Sequence, residues 1–161
     1  MSDLRVGIGV DAHGFSEAAR LVLGGAEFPG EPGLAGHSDG DVIAHALVDA
    51  LLGAAGLGDL GAFFPSGDPR WEGVSSLHLL ERAYAAVREA GFELVNADCV
   101  LVGERPRIAD RRREMEERLA GALGVEAGRV SVRATTTDGL GFTGRGEGLA
   151  AHAVALLSRL S

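Results

Sequence analysis

The chain has 161 residues, 46% of them hydrophobic, and a formal net charge of −8 at pH 7, which predicts a single domain (residues 1–161) with a substantial core. The acidic balance argues against a nucleic-acid partner, and the lack of an apolar run of about 18 residues argues against a membrane span. All fifteen basic residues are arginine, which excludes chemistry that needs lysine, such as Schiff-base formation and a Walker A phosphate loop.

The first part of the chain predicts a strand, a hairpin and an amphipathic helix. Valine and isoleucine alternate with glycine over residues 5–11, which predicts a strand that ends in Asp11-Ala12-His13. Side chains two residues apart on a strand share a face, so the aspartate and the histidine point the same way. Residues 21–28 predict a hairpin closed around two glycines. The apolar repeat that follows predicts a helix capped by Ser38, starting at the next residue and ending near Gly53.

The second part of the chain predicts alternating helices and strands after a long Gly/Pro loop. In order, the predicted elements are that loop over 56–69, a helix over 74–89, a strand over 92–102, a helix over 107–123, a strand over 129–137, a Gly-rich loop over 139–148 and an apolar helix over 149–160. This order predicts an α/β (α+β) fold with one mainly four-stranded sheet, helices packed on one face and a small hairpin.

The N-terminus and the cysteine content predict a cytoplasmic protein. Residues 1–5 lack the charged and apolar regions of a signal peptide. Cys99 is the only cysteine, so an intrachain disulfide is excluded, as is usual for proteins of a reducing compartment.

A candidate metal set consists of Asp11, His13 and His45. Two imidazoles and one carboxylate, with a fourth position open, are typical of a catalytic zinc site. Asp41 and Asp49 lie one helical turn on either side of His45, and we expect them to accept the second N–H of its ring. The alternative that the pattern leaves open is a buried Asp–His hydrogen bond without a metal.

A second candidate site lies at the predicted Gly-rich loop. Residues 139–144 match the dinucleotide-binding fingerprint, but a Rossmann unit needs a further strand and an acidic residue, so we reject that interpretation. We expect the loop to present backbone N–H groups, and Arg145 to hold a phosphate. The hydroxyls of residues 135–137 and the carboxylate of Asp138 suit a phosphate with a hard cation such as Mg²⁺. Simple β-propensity is the alternative explanation for the threonines.

Four motifs occur together in the chain. They are Asp11-Ala12-His13; Gly36-His37-Ser38-Asp39-Gly40-Asp41 with His45 and Asp49; Gly58-Asp59-Leu60-Gly61; and Ala134-Thr135-Thr136-Thr137-Asp138 through Gly148. Their combination, spread over about residues 5–157, resembles the 2-C-methyl-D-erythritol 2,4-cyclodiphosphate synthase family.

The resemblance implies a homotrimer in which the sheets face inward and the active sites lie between subunits. It implies conversion of 4-diphosphocytidyl-2-C-methyl-D-erythritol 2-phosphate to 2-C-methyl-D-erythritol 2,4-cyclodiphosphate, with release of CMP, in non-mevalonate isoprenoid precursor biosynthesis. The family's metals, zinc at Asp11, His13 and His45 and magnesium or manganese at Asp138, are implied as cofactors. A phosphate dianion attacks within its own molecule in this reaction, so positioning and charge neutralisation replace a general base.

The resemblance also implies roles for individual residues. The implied catalytic residues are His37, Thr136 and Asp138. The implied substrate contacts are His37, Ser38, Asp59, Gly61, Ser66, Gly103, Pro106, Arg107, Ile108, Thr135, Thr136, Phe142 and Arg145. Departures from the family pattern occur at Ser66, where a carboxylate is usual, at Gly139, where lysine is common, and at 103–105 beside the cytosine pocket.

Three rival functions remain open at this point. A zinc-dependent phosphohydrolase would release free phosphate and no cyclic product. A non-catalytic trimeric binding module would keep its role without His45. A structural α/β protein with hydrogen-bonded histidines would bind no stoichiometric zinc.

Overall fold

The computed structural model describes residues 3–161. Met1 and Ser2, part of the stretch in which we expected no signal peptide, lie outside the described residues. In chain order the elements are β1 (Leu4–Ser16), β2 (Val22–Leu23), β3 (Ala26–Glu27), β4 (Gly33–Leu34), α1 (Val42–Ala55), α2 (Leu60–Phe63), α3 (Ser76–Glu89), β5 (Phe92–Val102), α4 (Arg112–Leu123), β6 (Val130–Thr135), α5 (Gly141–Gly144) and β7 (Gly148–Arg159).

One mixed sheet organises the molecule, with strand order β4-β1-β7-β5-β6. The β5–β6 pair is parallel and the other pairs are antiparallel. The sheet has five strands instead of the four mainly predicted, because the last segment of the chain forms the strand β7 and the end of β1 also pairs with the two-residue strand β4. The predicted hairpin is confirmed as the separate pair β2–β3.

The prediction of a helix over residues 149–160 is wrong, since this segment is the central strand β7. Its alanine-rich composition favours a helix by propensity alone. In the structure its backbone is paired on both sides, with β1 and with β5, and its side chains alternate between a buried face and an open face. Small residues such as Ala151 and Ala153 fit where the sheet meets α1, so tertiary pairing prevails over local propensity.

Two helix starts also differ from prediction by more than two residues. Helix α1 begins at Val42 and is capped by Asp41, whose carboxylate accepts the Ala44 N–H at 3.1 Å, so Ser38 is not the cap. Helix α4 begins at Arg112, after a 3₁₀ turn that occupies the start of the predicted range. Both differences arise because the chain can satisfy the free N–H groups of a first turn in more than one way.

Helix α1 lies very close to β1, because glycine leaves room for it. A Cβ atom built on Gly9 would lie 1.8 Å from the Ala46 carbonyl oxygen, and one on Gly7 would lie 2.1 Å from the Ala50 carbonyl oxygen. Only residues without a side chain permit this approach. The close packing brings the first turns of α1 over the end of β1, where the candidate metal ligands lie.

The other face of the sheet is apolar and uncovered in the described chain. Leu4, Val6, Ile8 and Val10 of β1 are 54–70% exposed, and Val154 of β7 is 42% exposed. The helices therefore pack on one face only, as the sequence predicted. Among residues 3–161, no helix has both the length and the apolar character needed to cross a membrane.

Candidate active site

The structure brings Asp11, His13 and His45 together. The Asp11 Oδ2 atom lies 2.9 Å from His13 Nε2 and 3.2 Å from His45 Nδ1. One ligand atom from each residue lies within 4.8 Å of the other two, a grouping of His, Cys, Asp or Glu that occurs at this one place in residues 3–161. Asp11 and His13 share a face because side chains alternate along a strand. The close packing of α1 on β1 brings His45 next to them.

The donor set fits a divalent cation. His13 Nε2 is buried and has no hydrogen-bond partner among residues 3–161, so its short contact with Asp11 lacks hydrogen-bond geometry. Two imidazole nitrogens thus converge on one carboxylate oxygen, as expected where lone pairs are aimed at a shared ion. Burial raises the pKa of Asp11, but its contacts with His13 and His45 outweigh burial and hold that pKa at about 2. The carboxylate is therefore ionised and available as a ligand at neutral pH.

The second ring nitrogen of His45 does not contact Asp41 or Asp49, so that prediction is wrong. His45 Nε2 instead lies 2.9 Å from Ser38 Oγ and 2.8 Å from Ser76 Oγ. The sequence analysis missed Ser76, which lies 31 positions further along the chain at the start of α3. Its position as the first residue of a helix carries no signal for a contact over that distance.

The two aspartates hold other parts of the chain in place. The buried Asp41 carboxylate accepts the N–H groups of Gly24 at 2.9 Å and Gly25 at 2.7 Å, which ties the β2–β3 hairpin to the start of α1. Burial raises the pKa of Asp41 to about 6, against the effect of these hydrogen bonds. Asp49 accepts the Leu60 N–H at 2.7 Å and so fixes the start of α2. The sequence spacing predicted that both carboxylates lie near His45. Each carboxylate instead accepts hydrogen bonds from backbone N–H groups that would otherwise be unpaired.

A cleft of about 580 Å³ opens where β5 and β6 end. Six of the residues that the family resemblance implied as substrate contacts line it together: Gly103, Pro106, Arg107, Ile108, Thr135 and Thr136. The Thr136 hydroxyl donates a hydrogen bond to Glu104 and accepts the N–H of Asp138 at 3.0 Å. One carboxylate and one backbone N–H therefore contact this threonine at the edge of the cleft.

The metal set and the cleft lie at the same end of the sheet. One row of paired residues crosses the sheet from one to the other: Asp11, Ala151, Leu101 and Ala134. Three strand spacings separate the ends of this row, which corresponds to about 14 Å. One chain thus presents two separate groups of polar residues at the same end of the sheet.

The loop between α1 and α3 holds several of the remaining implied contacts. His37 Nε2 donates to the Asp68 carbonyl oxygen at 3.0 Å, which tethers this loop beside the metal set. Asp59 caps α2 by accepting the Ala62 N–H at 2.9 Å, so its carboxylate has a structural partner. Gly61 and Ser66 are exposed in the same loop.

Phe142 and Arg145 belong to the segment around α5 and do not line the cleft. The Arg145 guanidinium pairs with the Glu147 carboxylate at 3.0 Å, and the Phe142 side chain is exposed. The structure therefore leaves these two implied contacts apart from the cleft within one chain.

We expect metal affinity to fall as the pH is lowered through the pKa of His45. Burial lowers this pKa, but the charges of Asp11, Asp41 and Asp39 outweigh burial and raise it above the ordinary value of 6.5. A protonated imidazole cannot bind a metal, so apparent zinc affinity should drop by about tenfold per pH unit below the raised pKa. Competition titration with a chromophoric chelator between about pH 6 and pH 8 measures this effect. A zinc affinity that stays constant over this range would contradict the prediction.

Comparison with known proteins gives consistent matches. Residues 4–158 match the YgbB family. The chain is 61% identical over 155 residues to the bifunctional enzyme IspD/IspF of Anaeromyxobacter sp. (strain Fw109-5), covering 96% of this chain but 40% of that protein. It is 57% identical over 162 residues to the 2-C-methyl-D-erythritol 2,4-cyclodiphosphate synthase of Rubrobacter xylanophilus, covering 99% of this chain and 98% of that protein.

A solved structure shows the same fold with a nucleotide. IspF of Plasmodium falciparum in complex with CDP superimposes with a TM-score of 0.86 at 27% identity, covering 100% of this chain and 99% of that chain. The chain thus spans nearly the whole length of the single-function relative, and about 40% of the length of the bifunctional relatives that it matches.

Proposed function

Because the chain belongs to the YgbB family, we propose that it is a phosphorus–oxygen lyase that forms 2-C-methyl-D-erythritol 2,4-cyclodiphosphate and CMP from 4-diphosphocytidyl-2-C-methyl-D-erythritol 2-phosphate. The observation that carries the proposal is the convergence of Asp11, His13 and His45 at the end of the sheet that also holds the cleft. The reaction belongs to the synthesis of isoprenoid precursors, as in the relatives of the same name. We further propose that residues 1–161 form one such domain in a cytoplasmic setting, for which the lone buried Cys99 is the support.

Two metals belong to the proposal. Asp11, His13 and His45 are the ligands for zinc, and the unpartnered His13 Nε2 is the observation that favours a bound cation there. Asp138 is the ligand for magnesium or manganese, because its backbone is hydrogen-bonded to Thr136 at the edge of the cleft and a carboxylate is the ligand that such a hard cation prefers. Bound at these places, the metals supply polarisation of a phosphate oxygen and neutralisation of diphosphate charge.

The side chains of the chain supply binding and orientation. The cleft residues Pro106, Arg107 and Ile108 take the cytosine end of the substrate, and the hydroxyls of Thr135 and Thr136 donate to its phosphates. His37 and Ser38 contact the substrate near the metal set. An oxygen of the 2-phosphate forms a bond to the β-phosphorus, the bond from that phosphorus to the bridging oxygen breaks, and CMP leaves with the oxygen. The attacking dianion needs no base, so alignment provides most of the rate enhancement.

Assembly as a homotrimer completes the proposal. The open face of the sheet carries Leu4, Val6, Ile8, Val10 and Val154, and an exposed apolar surface of this kind is typical of a subunit interface. Packing three such faces inward buries them. The metal set and the cleft are about 14 Å apart in one chain, which leaves each of them to be completed by a neighbouring subunit.

We expect purified protein incubated with the cytidine diphosphate substrate and Mg²⁺ to yield cyclic diphosphate and CMP by phosphorus NMR. Free phosphate in place of the cyclic product would indicate the phosphohydrolase alternative, and no turnover with bound CDP would indicate a binding module.

Asp138→Ala should raise the Mg²⁺ concentration needed for half-maximal rate by about tenfold, because a charged ligand is lost. The exposed carboxylate of Glu126 provides the control, since Glu126→Ala leaves the cleft intact. An unchanged Mg²⁺ dependence in Asp138→Ala would refute the metal assignment at this residue.

A further inference from the structure

The ring of His45 is held from both sides by groups of different kinds. Its Nδ1 atom faces the carboxylate of Asp11 at 3.2 Å, and its Nε2 atom faces Ser76 Oγ at 2.8 Å. Nδ1 is therefore the atom that faces the candidate metal position. A neutral imidazole that binds a metal through Nδ1 must carry its proton on Nε2. The group beside Nε2 consequently has to be a hydrogen-bond acceptor.

Asp39 determines the direction of the hydrogen bonds at Ser76. The Ser76 hydroxyl donates to Asp39 Oδ1, and the Ser76 backbone N–H donates to Asp39 Oδ2 at 3.0 Å. The Asp41 N–H also donates to Asp39, at 3.1 Å, which fixes the carboxylate in place. An ionised carboxylate can only accept, so the hydroxyl hydrogen of Ser76 is committed to Asp39. Ser76 is fully buried, and its oxygen is left to accept from His45.

We propose that Ser76, oriented by Asp39, is a positioning residue that holds His45 in the tautomer with the proton on Nε2 and so increases the metal affinity of the site. The proposal rests on the proposed function for the existence of the metal site, and it adds residues to which the family resemblance gave no such role. The hydrogen bonds run in one direction, from His45 Nε2 to Ser76 and from Ser76 to Asp39.

Ser38 is the neighbouring hydroxyl that the proposal excludes from this role. Its Oγ atom is 2.9 Å from His45 Nε2 but only a weak 3.4 Å from Ser76 Oγ, and it has no carboxylate partner. Ser38 is half-buried, so its hydroxyl hydrogen remains able to turn towards a substrate. The two serines beside one nitrogen therefore have separate functions.

Zinc affinity in three serine variants tests the proposal. We expect Ser76→Ala to raise the zinc dissociation constant by about 10- to 100-fold, as measured by chelator competition, because loss of the partner of a ligating histidine has effects of this size. Ser75→Ala is the matched control, since Ser75 is exposed at the same helix start and its side chain makes no capping bond. Ser75→Ala and Ser38→Ala should each change the constant by less than about threefold. An equal loss in Ser38→Ala and Ser76→Ala would overturn the assignment to Ser76.

The tautomer itself is measurable in the unaltered protein, whatever the folding of the variants. Long-range ¹H–¹⁵N correlation spectra of the zinc-loaded protein above about pH 8 should show His45 with its proton on Nε2 and the metal on Nδ1. The resonance is assigned by its absence in His45→Gln. A proton on Nδ1 would overturn the proposal. Failure of the unaltered protein to bind zinc would refute the proposed metal centre, whereas equal zinc binding by it and by Ser76→Ala would refute only the role of Ser76.

Discussion

Replacing His45 or Asp11 with alanine is expected to abolish zinc binding and cyclisation while the proposed trimer persists. Each change removes one of the three protein donors that converge within 4.8 Å. Loss of a direct ligand exceeds the effect of losing its hydrogen-bond partner, so zinc affinity should fall by more than about 100-fold. The apolar face proposed as the subunit interface lies on the opposite side of β1, so its packing is untouched.

Three measurements decide this prediction: zinc content after dialysis, cyclic product by phosphorus NMR, and mass by light scattering. His78→Ala is the matched control, because His78 is an exposed histidine on α3 away from the metal set. We expect this variant to retain zinc and activity. Full cyclase activity in either ligand variant would refute the site assignment.

Gly9→Ala should be strongly destabilising, although it adds a single methyl group. The new Cβ would lie 1.8 Å from the Ala46 carbonyl oxygen and 2.8 Å from the Ala50 nitrogen, and both belong to the backbone of α1. No flexible side chain can move aside, so the helix itself must shift away from the sheet. We expect the free energy of unfolding to fall by at least about 3 kcal/mol, at the upper end for overpacking. Because α1 carries His45, zinc affinity should fall as well.

Urea denaturation of the zinc-free protein at fixed protein concentration measures the loss, since oligomerisation makes apparent stability depend on concentration. Gly53→Ala is the control in the same helix, where an added Cβ meets nothing within 4 Å. That variant should gain about 0.5–1 kcal/mol from helix propensity. A Gly9→Ala protein as stable as the unaltered one would contradict the close helix–sheet packing described here.

The shared face of two metal ligands was predictable because it depends on local geometry. Asp11 and His13 share a face through the two-residue period of a strand, and that rule needs no tertiary information. His45 lies on a helix whose apolar period is clear in the sequence, but its approach to Asp11 depends on the close packing of that helix against β1. Family motifs identified the cleft residues as a group, and the structure gathers six of them in one place.

The errors have a common origin in contacts between distant segments. The last segment was predicted as an apolar helix, and pairing with two neighbouring strands makes it the centre of the sheet. Asp41 and Asp49 were expected beside His45, but their carboxylates accept hydrogen bonds from backbone N–H groups of the hairpin and of α2. In each case contacts with distant segments, which the sequence does not display, decided the local arrangement.

The composition of the candidate metal set, the shared face of two of its ligands and the family resemblance can all be read from residue types and their spacing. The folded chain is needed to see which nitrogen of His45 faces Asp11, which serine contacts the other nitrogen and how near α1 lies to β1. The difference arises because the identity of ligands depends on residue types and short spacings along the chain. Hydrogen-bond direction and helix–sheet distance depend instead on atoms that folding brings together from distant parts of the chain.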